Sequence, residues 1–340
     1  MHNYSKRTPA GIVGFRGYSG AELIRILSRH AHATPVRMEH RSDSGAEPLP
    51  RGAERPRTIP ALAETAGAEG IKVVFLATPP EVSIEITPSL LDAGIKVIDL
   101  SGAFRLRTAD NYRKWYKAEH GEPTLLREAC YGLPEFCRDR IRTARLVSNP
   151  GCYPTAANLA IKPLIDAEII DRRAGIVCDA KSGVSGAGRK PSLKSAFCEV
   201  TENFSAYSLL DHRHVPEVLM NSALEESEFS FTAQLIPIDR GILETIYFRG
   251  ADGVDAEKIV SIYETSYAEE PFVRCYDPGV IPDLRAVQRT NFCDIGVKYD
   301  AATRRGVVVS VIDNLGKGAA GQAVQNMNLM LGFPETEGLL

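Results

Sequence analysis

The stretch AGIVGFRGYSGAELIRILSRH, residues 10–30, decides the fold of the N-terminal half. It opens with a short apolar run, and the segment that follows places Leu23, Ile26 and Leu27 at helical spacing. Between the two, glycine recurs at every third position: 11, 14, 17 and 20. A glycine turn between a buried strand and a helix predicts the start of a nucleotide-binding βαβ unit.

Strands and helices alternate outward from this unit. Residues 81–94 have the pattern of a helix closed by glycine, and residues 41–60, with four prolines, that of a loop. Strand patterns occupy residues 34–40, 71–80 and 95–102. This alternation predicts an α/β, Rossmann-type, doubly wound parallel sheet over residues 1–150.

The pattern changes after residue 150. Five strand-like runs follow with fewer helices between them, at residues 174–183, 229–238, 241–250, 291–300 and 306–315. They predict a second, α+β domain over residues 151–313, with a mixed or antiparallel sheet, for substrate binding and oligomerisation. Residues 314–340 contain a final helix, which we expect to join the first domain.

Composition excludes several classes of function. The net charge of −3 gives no case for a nucleic-acid partner, and no run approaches the roughly 18 apolar residues of a membrane span. The seven cysteines are widely spaced, and the N-terminus lacks a signal peptide's apolar core, so we expect reduced thiols and a cytoplasmic location. The histidines are too few and scattered to predict a metal site.

The glycine turn predicts a dinucleotide, since its backbone can approach a pyrophosphate whose charge the helix start binds. The alternative is a plain tight turn, because the GxxGxxG spacing departs from GxGxxG. Glu39, about 20 residues on, would suggest NAD through the ribose hydroxyls, whereas Arg41 and Ser42 suit a 2′-phosphate. The residues favour NADP over NAD modestly.

A second motif is LVSNPGCYPTAANLAIKPL, residues 146–164, where Pro154 suits the first turn of a helix. Cys152 is therefore expected at or just before that helix's N-terminus. A helix end contributes about 0.3–1 kcal/mol, so it lowers a thiol pKa by about one unit at most. A nucleophilic Cys152 needs a second partner, and His212 and His214 in DHRHVPE are candidates. The alternatives are a buried, inert cysteine and ordinary histidines.

A nucleotide fold with a nucleophilic cysteine narrows the chemistry. A thiolate forms thioesters from activated acyl groups, and a nicotinamide can reduce a thioester to an aldehyde. Reduction of an acyl phosphate uses both features.

Motifs along nearly the whole chain resemble those of the N-acetyl-γ-glutamyl-phosphate reductase family. They are GYSGAEL, YGLPE, SNPGCYPT, KSGVSGAGR, HRHVPE, DRGIL, TNFCDIGV and VIDNLGKGAAGQAVQNMNLMLG. The resemblance implies NADPH-dependent reduction of N-acetyl-γ-glutamyl phosphate in arginine biosynthesis, by a homodimer or homotetramer.

The resemblance also implies site residues. Cys152 would be the nucleophile and His212 the acid–base residue, with His214 the less favoured candidate for that role. Arg105 would contact the phosphoryl group, and the substrate site would also include His214, Ser182 and Tyr207. The cofactor would be held by Gly14, Gly17, Tyr18, Ser19, Gly20, Arg41, Ser42, Gly183, Asn314 and Lys317.

Three positions depart from the family's common pattern: Ala103, residues 78–80 (TPP) and Asp211. They leave open aspartyl, aminoadipyl or carrier-linked glutamyl phosphate as the substrate of the same chemistry. A catalytically silent nucleotide-binding scaffold is a further alternative, against which the intact Cys152, His212 and Arg105 argue.

Overall fold

The computed structural model describes residues 7–40 and 57–340. The chain divides into two compact units by its internal contacts. Among the described residues, the first unit comprises 7–40, 57–107, 120–149 and 323–340. The second comprises 108–119 and 150–322. Each contains a seven-stranded sheet, so the predicted α/β class with a separate second domain is confirmed.

The sheet of the first unit is parallel throughout the described residues, in the order β3-β2-β1-β4-β5-β7-β6. Its strands are β1 (Thr8–Val13), β2 (Ala33–Glu39), β3 (Thr58–Pro60), β4 (Val73–Leu76), β5 (Lys96–Asp99), β6 (Cys130–Tyr131) and β7 (Leu146–Ser148). Every residue of β4 is buried, as expected for a strand covered on both faces. The strand order reverses between β1 and β4, which is the position of ligand sites in doubly wound sheets.

Five of the helices in the described ranges lie wholly in the first unit. They are α1 (Tyr18–Arg29), α2 (Ala63–Ala68), α3 (Pro80–Asp92), α5 (Pro123–Glu128) and α6 (Pro134–Thr143). The last three begin with proline, whose fixed φ suits a first helical residue that needs no N–H donor.

The second sheet is mixed, in the order β12-β13-β14-β11-β8-β10-β9. Its strands are β8 (Ile176–Ser182), β9 (Ser205–Tyr207), β10 (Phe229–Leu235), β11 (Ile242–Arg249), β12 (Val273–Cys275), β13 (Cys293–Asp300) and β14 (Arg305–Ile312). The β8–β10 and β12–β13 pairs are parallel and the others antiparallel. Strands β8, β10 and β11 largely alternate buried and more exposed residues, as expected for a sheet with one covered face. Strands β13 and β14 instead each contain five consecutive buried residues.

The helices of the second unit are α4 (Ala109–Tyr116), α7 (Cys152–Asp166), α8 (Phe197–Val200), α9 (Val215–Asn221) and α10 (Ala256–Tyr267). Helix α7 packs on the sheet, where Ser310 of β14 donates to the carbonyl of Ala156 over 3.1 Å. Tyr263 and Tyr267 of α10 donate to the carbonyls of Ala160 and Leu159. Helix α7 is therefore held from two sides by hydrogen bonds as well as by apolar packing.

The last helix, α11 (Gly321–Leu331), begins with two residues of the second unit and continues in the first. Its Asn328 side chain accepts a hydrogen bond from the ring of His30, at the end of α1, over 2.9 Å. Asn326 donates to the carbonyl of Gly132 over 2.8 Å. The C-terminal segment is thus part of the core of the first unit.

The prediction of a loop over residues 41–60 is wrong at its end. Residues 58–60 form β3, an edge strand beside β2, and Pro60 stands at its last position, where a missing donor is tolerated. Residues 41–56 lie outside the described part of the chain. In the described ranges, none of the helices has both the length and the apolar character needed to cross a membrane.

Candidate active site

Cys152 is the first residue of α7, and Gly151 is its N-cap. The prediction that this cysteine stands at a helix start is confirmed. The Thr155 hydroxyl donates to the carbonyl of Gly151 over 2.9 Å, and the Gln322 amide donates to the same hydroxyl over 3.0 Å. These bonds fix the turn that carries Cys152 at the helix N-terminus, where the helix dipole favours a negatively charged sulfur.

Glu217 and His214 close the other side of this turn. The buried carboxylate of Glu217, on α9, accepts the backbone N–H of Gly151 over 2.9 Å. A Cβ atom at position 151 would lie 2.7 Å from Nε2 of His214 and 3.0 Å from Oε1 of Glu217. The imidazole and the carboxylate therefore both lie directly against the residue that precedes the cysteine. Only glycine fits there.

His212 lies beside His214, with ring centroids 4.9 Å apart, although the two residues form part of a turn and not a strand. Nδ1 of His212 accepts the backbone N–H of His214 over 3.2 Å. Burial lowers the pKa of His212 to about 4, and the positive charge of Arg213 adds to this effect. The ring is therefore neutral at pH 7, and its proton is on Nε2.

An aromatic wall surrounds His212. The ring of Tyr153 meets it edge-on at 5.6 Å, and those of Tyr207 and Phe231 lie 5.6 and 5.2 Å away. The hydroxyls of Tyr153 and Tyr207 are 3.1 Å apart. Burial raises the pKa of both phenols, so both remain neutral hydrogen-bond donors. Tyr207 thus lies beside His212, and its contact with the substrate stays a prediction.

The glycine-rich loop after β8 is held by Asn314. The side-chain oxygen of Asn314 accepts the N–H of Gly241 over 2.7 Å, and its amide donates to the Ser185 hydroxyl over 2.9 Å. Gly183 donates its N–H to the carbonyl of Gly241 over 2.9 Å. Ser182, at the end of β8, is buried and donates to the carbonyl of Gly183 over 3.0 Å. Asn314 is therefore a residue that shapes the loop.

Lys317 is fully buried, and its ammonium group lies 5.8 Å from the centroid of the Phe272 ring. It belongs to a π-helical segment, Gly316–Ala320, that leads into α11. In that segment a Cβ atom on Gly318 would lie 2.9 Å from Cβ of Cys152. The segment therefore packs against the cysteine, and the contact of Lys317 with a cofactor stays a prediction.

The predicted cofactor turn lies in the first unit. Gly14 has φ of +82°, and Gly17 donates its N–H to the carbonyl of Gly14 over 3.0 Å. A Cβ atom on Gly20 would lie 2.3 Å from that carbonyl oxygen. Helix α1 then begins at Tyr18 and continues through Ser19 without a capping side chain. Its N–H groups therefore suit a pyrophosphate, so the residues present fit a dinucleotide.

Arg105 also lies in the first unit and is buried. Its guanidinium donates to the carbonyls of Leu100 and Asn149 over 2.8 and 2.9 Å. Arg41 and Ser42 lie outside the described residues. The described ranges contain no cluster of three or more His, Cys, Asp or Glu side chains that could hold a metal ion.

The sequence reasoning assigned no role to Glu217, Tyr153 or Gly318. Glu217 stands inside the quoted HRHVPE motif, and Tyr153 directly follows the cysteine, so their positions were the available signal. Gly318 is 166 residues from Cys152 in sequence, and no local pattern could have joined them.

Family models match both units. The model described as semialdehyde dehydrogenase, NAD binding domain, matches residues 9–144, and the one described as semialdehyde dehydrogenase, dimerisation domain, matches residues 152–314. The chain is therefore an oxidoreductase of that family, and the prediction of an NADP(H) cofactor is confirmed at this level.

Solved structures show the same fold at low identity. Aspartate semialdehyde dehydrogenase II from Vibrio cholerae is 18% identical, with a TM-score of 0.71, over 96% of this chain and 99% of the other. The enzyme from Candida albicans, solved with NADP, is 16% identical, with a TM-score of 0.67, over 96% and 99%.

Two curated relatives are much more similar. The N-acetyl-γ-glutamyl-phosphate reductase of Symbiobacterium thermophilum is 47% identical over 97% of both chains. The protein of the same name from a Geobacillus species is 45% identical over 97% of both. The chain belongs to the N-acetyl-γ-glutamyl-phosphate reductase family.

Proposed function

We propose that this protein reduces N-acetyl-γ-glutamyl phosphate with NADPH to N-acetylglutamate 5-semialdehyde and inorganic phosphate, as a step of arginine biosynthesis. The observation that carries the proposal is the position of Cys152. It begins a 15-residue helix, on a turn bound by a buried carboxylate and bordered by a histidine ring. The names of relatives 45–47% identical support the choice of substrate.

In the proposed reaction the sulfur of Cys152 attacks the γ-acyl carbon. The bond between that carbon and the phosphate oxygen breaks, phosphate leaves with the electron pair, and a thioester forms. After reduction the hemithioacetal loses the sulfur, which regains its electron pair, and the aldehyde is released. Arg105 is proposed to bind the phosphoryl group, for which a fixed planar guanidinium is suited.

When bound, NADPH supplies the hydride that reduces the thioester carbon. We propose that Gly14, Gly17, Tyr18, Ser19 and Gly20 hold its pyrophosphate and Arg41 and Ser42 its 2′-phosphate. The loop at Gly183, shaped by Asn314, is the proposed border of the nicotinamide site, together with the segment of Lys317. The positive φ of Gly14 and the uncapped start of α1 support this assignment.

The two histidines suit different tasks. A neutral His212 with its proton on Nε2 can donate to the oxygen of the acyl group, which agrees with its proposed role as the acid. His214 has the Glu217 carboxylate on the same side of Gly151, as in cysteine–histidine–acid arrangements. We therefore propose that His214 helps to bind substrate and to receive the thiol proton.

The reverse reaction tests the proposal. Purified protein with N-acetylglutamate semialdehyde, phosphate and NADP should produce NADPH, and Cys152→Ala should abolish it. Cys198→Ala, at an exposed free thiol, is the matched control and should retain full activity. Equal rates in wild type and Cys152→Ala would refute the mechanism.

A trapping experiment tests the intermediate itself. With acyl phosphate and no coenzyme, mass spectrometry should find the acyl group on Cys152. An adduct on another residue would contradict the proposal. If Cys152 also alkylated like free cysteine at every pH, a silent nucleotide-binding protein would be favoured.

The substrate is tested by comparing kcat/KM values. We expect N-acetyl-γ-glutamyl phosphate to exceed aspartyl, aminoadipyl and carrier-linked glutamyl phosphates. A higher value for one of these would keep the chemistry and change the substrate.

We also propose that the protein is a homodimer or homotetramer. Val177 of β8 and Tyr247 of β11 are cross-strand neighbours on the outer face of the second sheet, and each is 45% exposed. The family model that covers this sheet is described as a dimerisation domain. Light scattering should find a smaller species for Tyr247→Glu, whereas Leu62→Glu, at an exposed leucine of the first unit, should leave the mass unchanged.

The proposed location is the cytoplasm. None of the seven cysteines, all of which lie in the described ranges, is in a disulfide, as expected in a reducing compartment. Cell fractionation with a soluble marker checks this, and recovery in an exported fraction would contradict it.

A further inference from the structure

Glu39 occupies a position that normally decides which nicotinamide dinucleotide is bound. It is the last residue of β2, which pairs with β1 beside the glycine turn. In doubly wound folds an acid at this place accepts hydrogen bonds from the ribose hydroxyls of NAD. A bare carboxylate there would repel the 2′-phosphate of NADP, so a protein that binds NADP has to offset its charge.

Arg16 offsets it. Nη1 of Arg16, in the middle of the glycine turn, lies 2.6 Å from Oε1 of Glu39. The two side chains are 31% and 26% exposed, so the pair is shielded on one side and open to solvent on the other. The carboxylate is therefore neutralised by a residue of the same turn that forms the phosphate cradle.

Phe15 fixes the orientation of this guanidinium. The Phe15 ring is buried, and the guanidinium carbon of Arg16 lies 4.5 Å from its centroid. The guanidinium carbon of Arg37, also on β2, lies 5.6 Å from the same centroid. Two guanidinium groups thus lie against one aromatic ring, and one of them pairs with the carboxylate of Glu39.

We infer that Arg16 selects NADP over NAD, by neutralising Glu39 and by binding the 2′-phosphate together with Arg37. A 2′-phosphate adds a dianion that an Arg fork can bind through two parallel hydrogen bonds. The unphosphorylated ribose of NAD gains less binding free energy here, because the carboxylate that would accept its hydrogen bonds is paired with Arg16. The inference refines the NADPH assignment of the proposed function with residues of the described turn.

Binding of cofactor fragments tests this without catalysis. Calorimetry with adenosine 2′,5′-bisphosphate and with 5′-AMP compares a ligand that has the 2′-phosphate with one that lacks it. In Arg16→Met we expect the bisphosphate to bind at least about tenfold more weakly, since a charge-assisted pair is lost. The affinity for 5′-AMP should change by less than about twofold or rise, because Glu39 is released.

Two further variants complete the test. Arg25→Met removes a comparable ion pair, Arg25–Glu22 at 2.7 Å on α1, and should leave both affinities unchanged. Arg16→Lys keeps the charge but not the fork, so bisphosphate affinity should fall between wild type and Arg16→Met. If Arg16→Met does not fold, Arg16→Lys alone tests the inference.

Two outcomes would overturn the inference: equal weakening of binding of both ligands, or no change in the affinity for either. Either outcome, in Arg16→Met or in Arg16→Lys, would leave Arg16 as only a structural partner of Glu39. Because the assay needs no substrate, a failure of the proposed reductase reaction would not affect its outcome.

Discussion

The backbone N–H of His214 donates to Nδ1 of His212 over 3.2 Å, so one nitrogen of the more buried histidine is already occupied. A neutral imidazole has one donor and one acceptor nitrogen, and the acceptor here is Nδ1. The proton of His212 is therefore on Nε2. Protonation of the second nitrogen would break the bond to His214 and displace the turn that both histidines share.

This relationship predicts a pH dependence of stability. The pKa of His212 is about 4 in the folded chain and about 6.5 when unfolded, so the unfolded chain binds the extra proton between these values. The contribution of neutral His212 to the free energy of unfolding is fully present above pH 6.5. It is lost as the pH falls toward 4, and the full loss is about 3 kcal/mol.

Denaturant unfolding of wild type and His212→Asn between pH 4 and 7.5 checks this. The difference in stability should shrink as the pH falls, while the lowered pKa values of His30 and His120 affect both proteins alike. A difference that is constant with pH would contradict the assignment.

Gly151→Ala should disable the enzyme without unfolding it. The new Cβ would lie 2.7 Å from Nε2 of His214, so the ring or the start of α7 has to move. We expect kcat to fall by about 100-fold, as for a displacement of about 1 Å at a reacting centre. The affinity for NADP fragments, whose predicted turn lies in the first unit, should stay unchanged.

The control for that substitution is Gly67→Ala. Among the described residues, no atom outside the backbone of its own helix and its chain neighbours lies within 4 Å of a Cβ built at Gly67, which is inside α2. Activity should be unaffected, and stability should rise slightly because alanine favours a helix. Full activity of Gly151→Ala would show that the glycine is not needed for the geometry of the cysteine.

Glu244→Gln should stabilise the second unit. Glu244, on β11, is fully buried, and the Cys178 thiol donates to its Oε2 over 3.6 Å. Burial raises the pKa of Glu244 well above its usual value, so the folded chain binds a proton that the unfolded chain releases. Wild type therefore loses stability as the pH rises above about 4.5.

Thermal unfolding at pH 5 and pH 8 measures the effect. The Tm of Glu244→Gln should exceed that of wild type, and by more at pH 8 than at pH 5. Glu244→Ala leaves a cavity and is expected to lower Tm at both values. A pH-independent change in Glu244→Gln would mean that the carboxyl is not the titrating group.

Asn328→Ala should loosen the C-terminal segment. The Asn328 amide donates to the carbonyls of Glu335 and Glu337, both over 3.0 Å, while its oxygen accepts from His30. Removing the amide leaves the buried His30 ring without this partner, at a cost of about 1–3 kcal/mol, and also removes the bonds to the two half-buried residues. Limited proteolysis should cut the segment after residue 331 faster than in wild type.

The matched control is Asn203→Ala, because Asn203 is exposed and donates only locally, to the carbonyl of Glu199 over 2.9 Å. Its proteolysis pattern should match wild type. Equal resistance of Asn328→Ala would argue that apolar packing alone holds the segment.

The sequence predicted those parts of the fold that local periodicity determines. The strands β1, β4 and β5 follow short apolar runs, and the five long strands of the second sheet follow strand-like runs of the sequence. It missed β6, β9 and β12, which have two or three residues and owe their geometry to neighbouring strands. β3 was hidden by the four prolines of residues 41–60, of which Pro60 stands in β3 itself, where an edge strand tolerates it.

The candidate site shows the same division. Pro154 and Gly151 predict the helix start at Cys152, and the two histidines of the HRH motif can be read directly from the sequence. The bond from Gly151 to Glu217 spans 66 residues, and the contact of Gly318 with Cys152 is longer still. Such contacts depend on how the second sheet brings distant segments together, which periodicity does not encode.

The first unit is discontinuous, since residues 323–340 complete a core begun by residues 7–40. During translation, the segment that carries Asn328, the hydrogen-bond partner of His30, leaves the ribosome after the rest of that core. The first unit, although its N-terminal strands are synthesised first, can therefore finish folding only after the second unit has emerged. A nascent chain stalled before residue 323 should remain a substrate for chaperones however well its N-terminal strands pair.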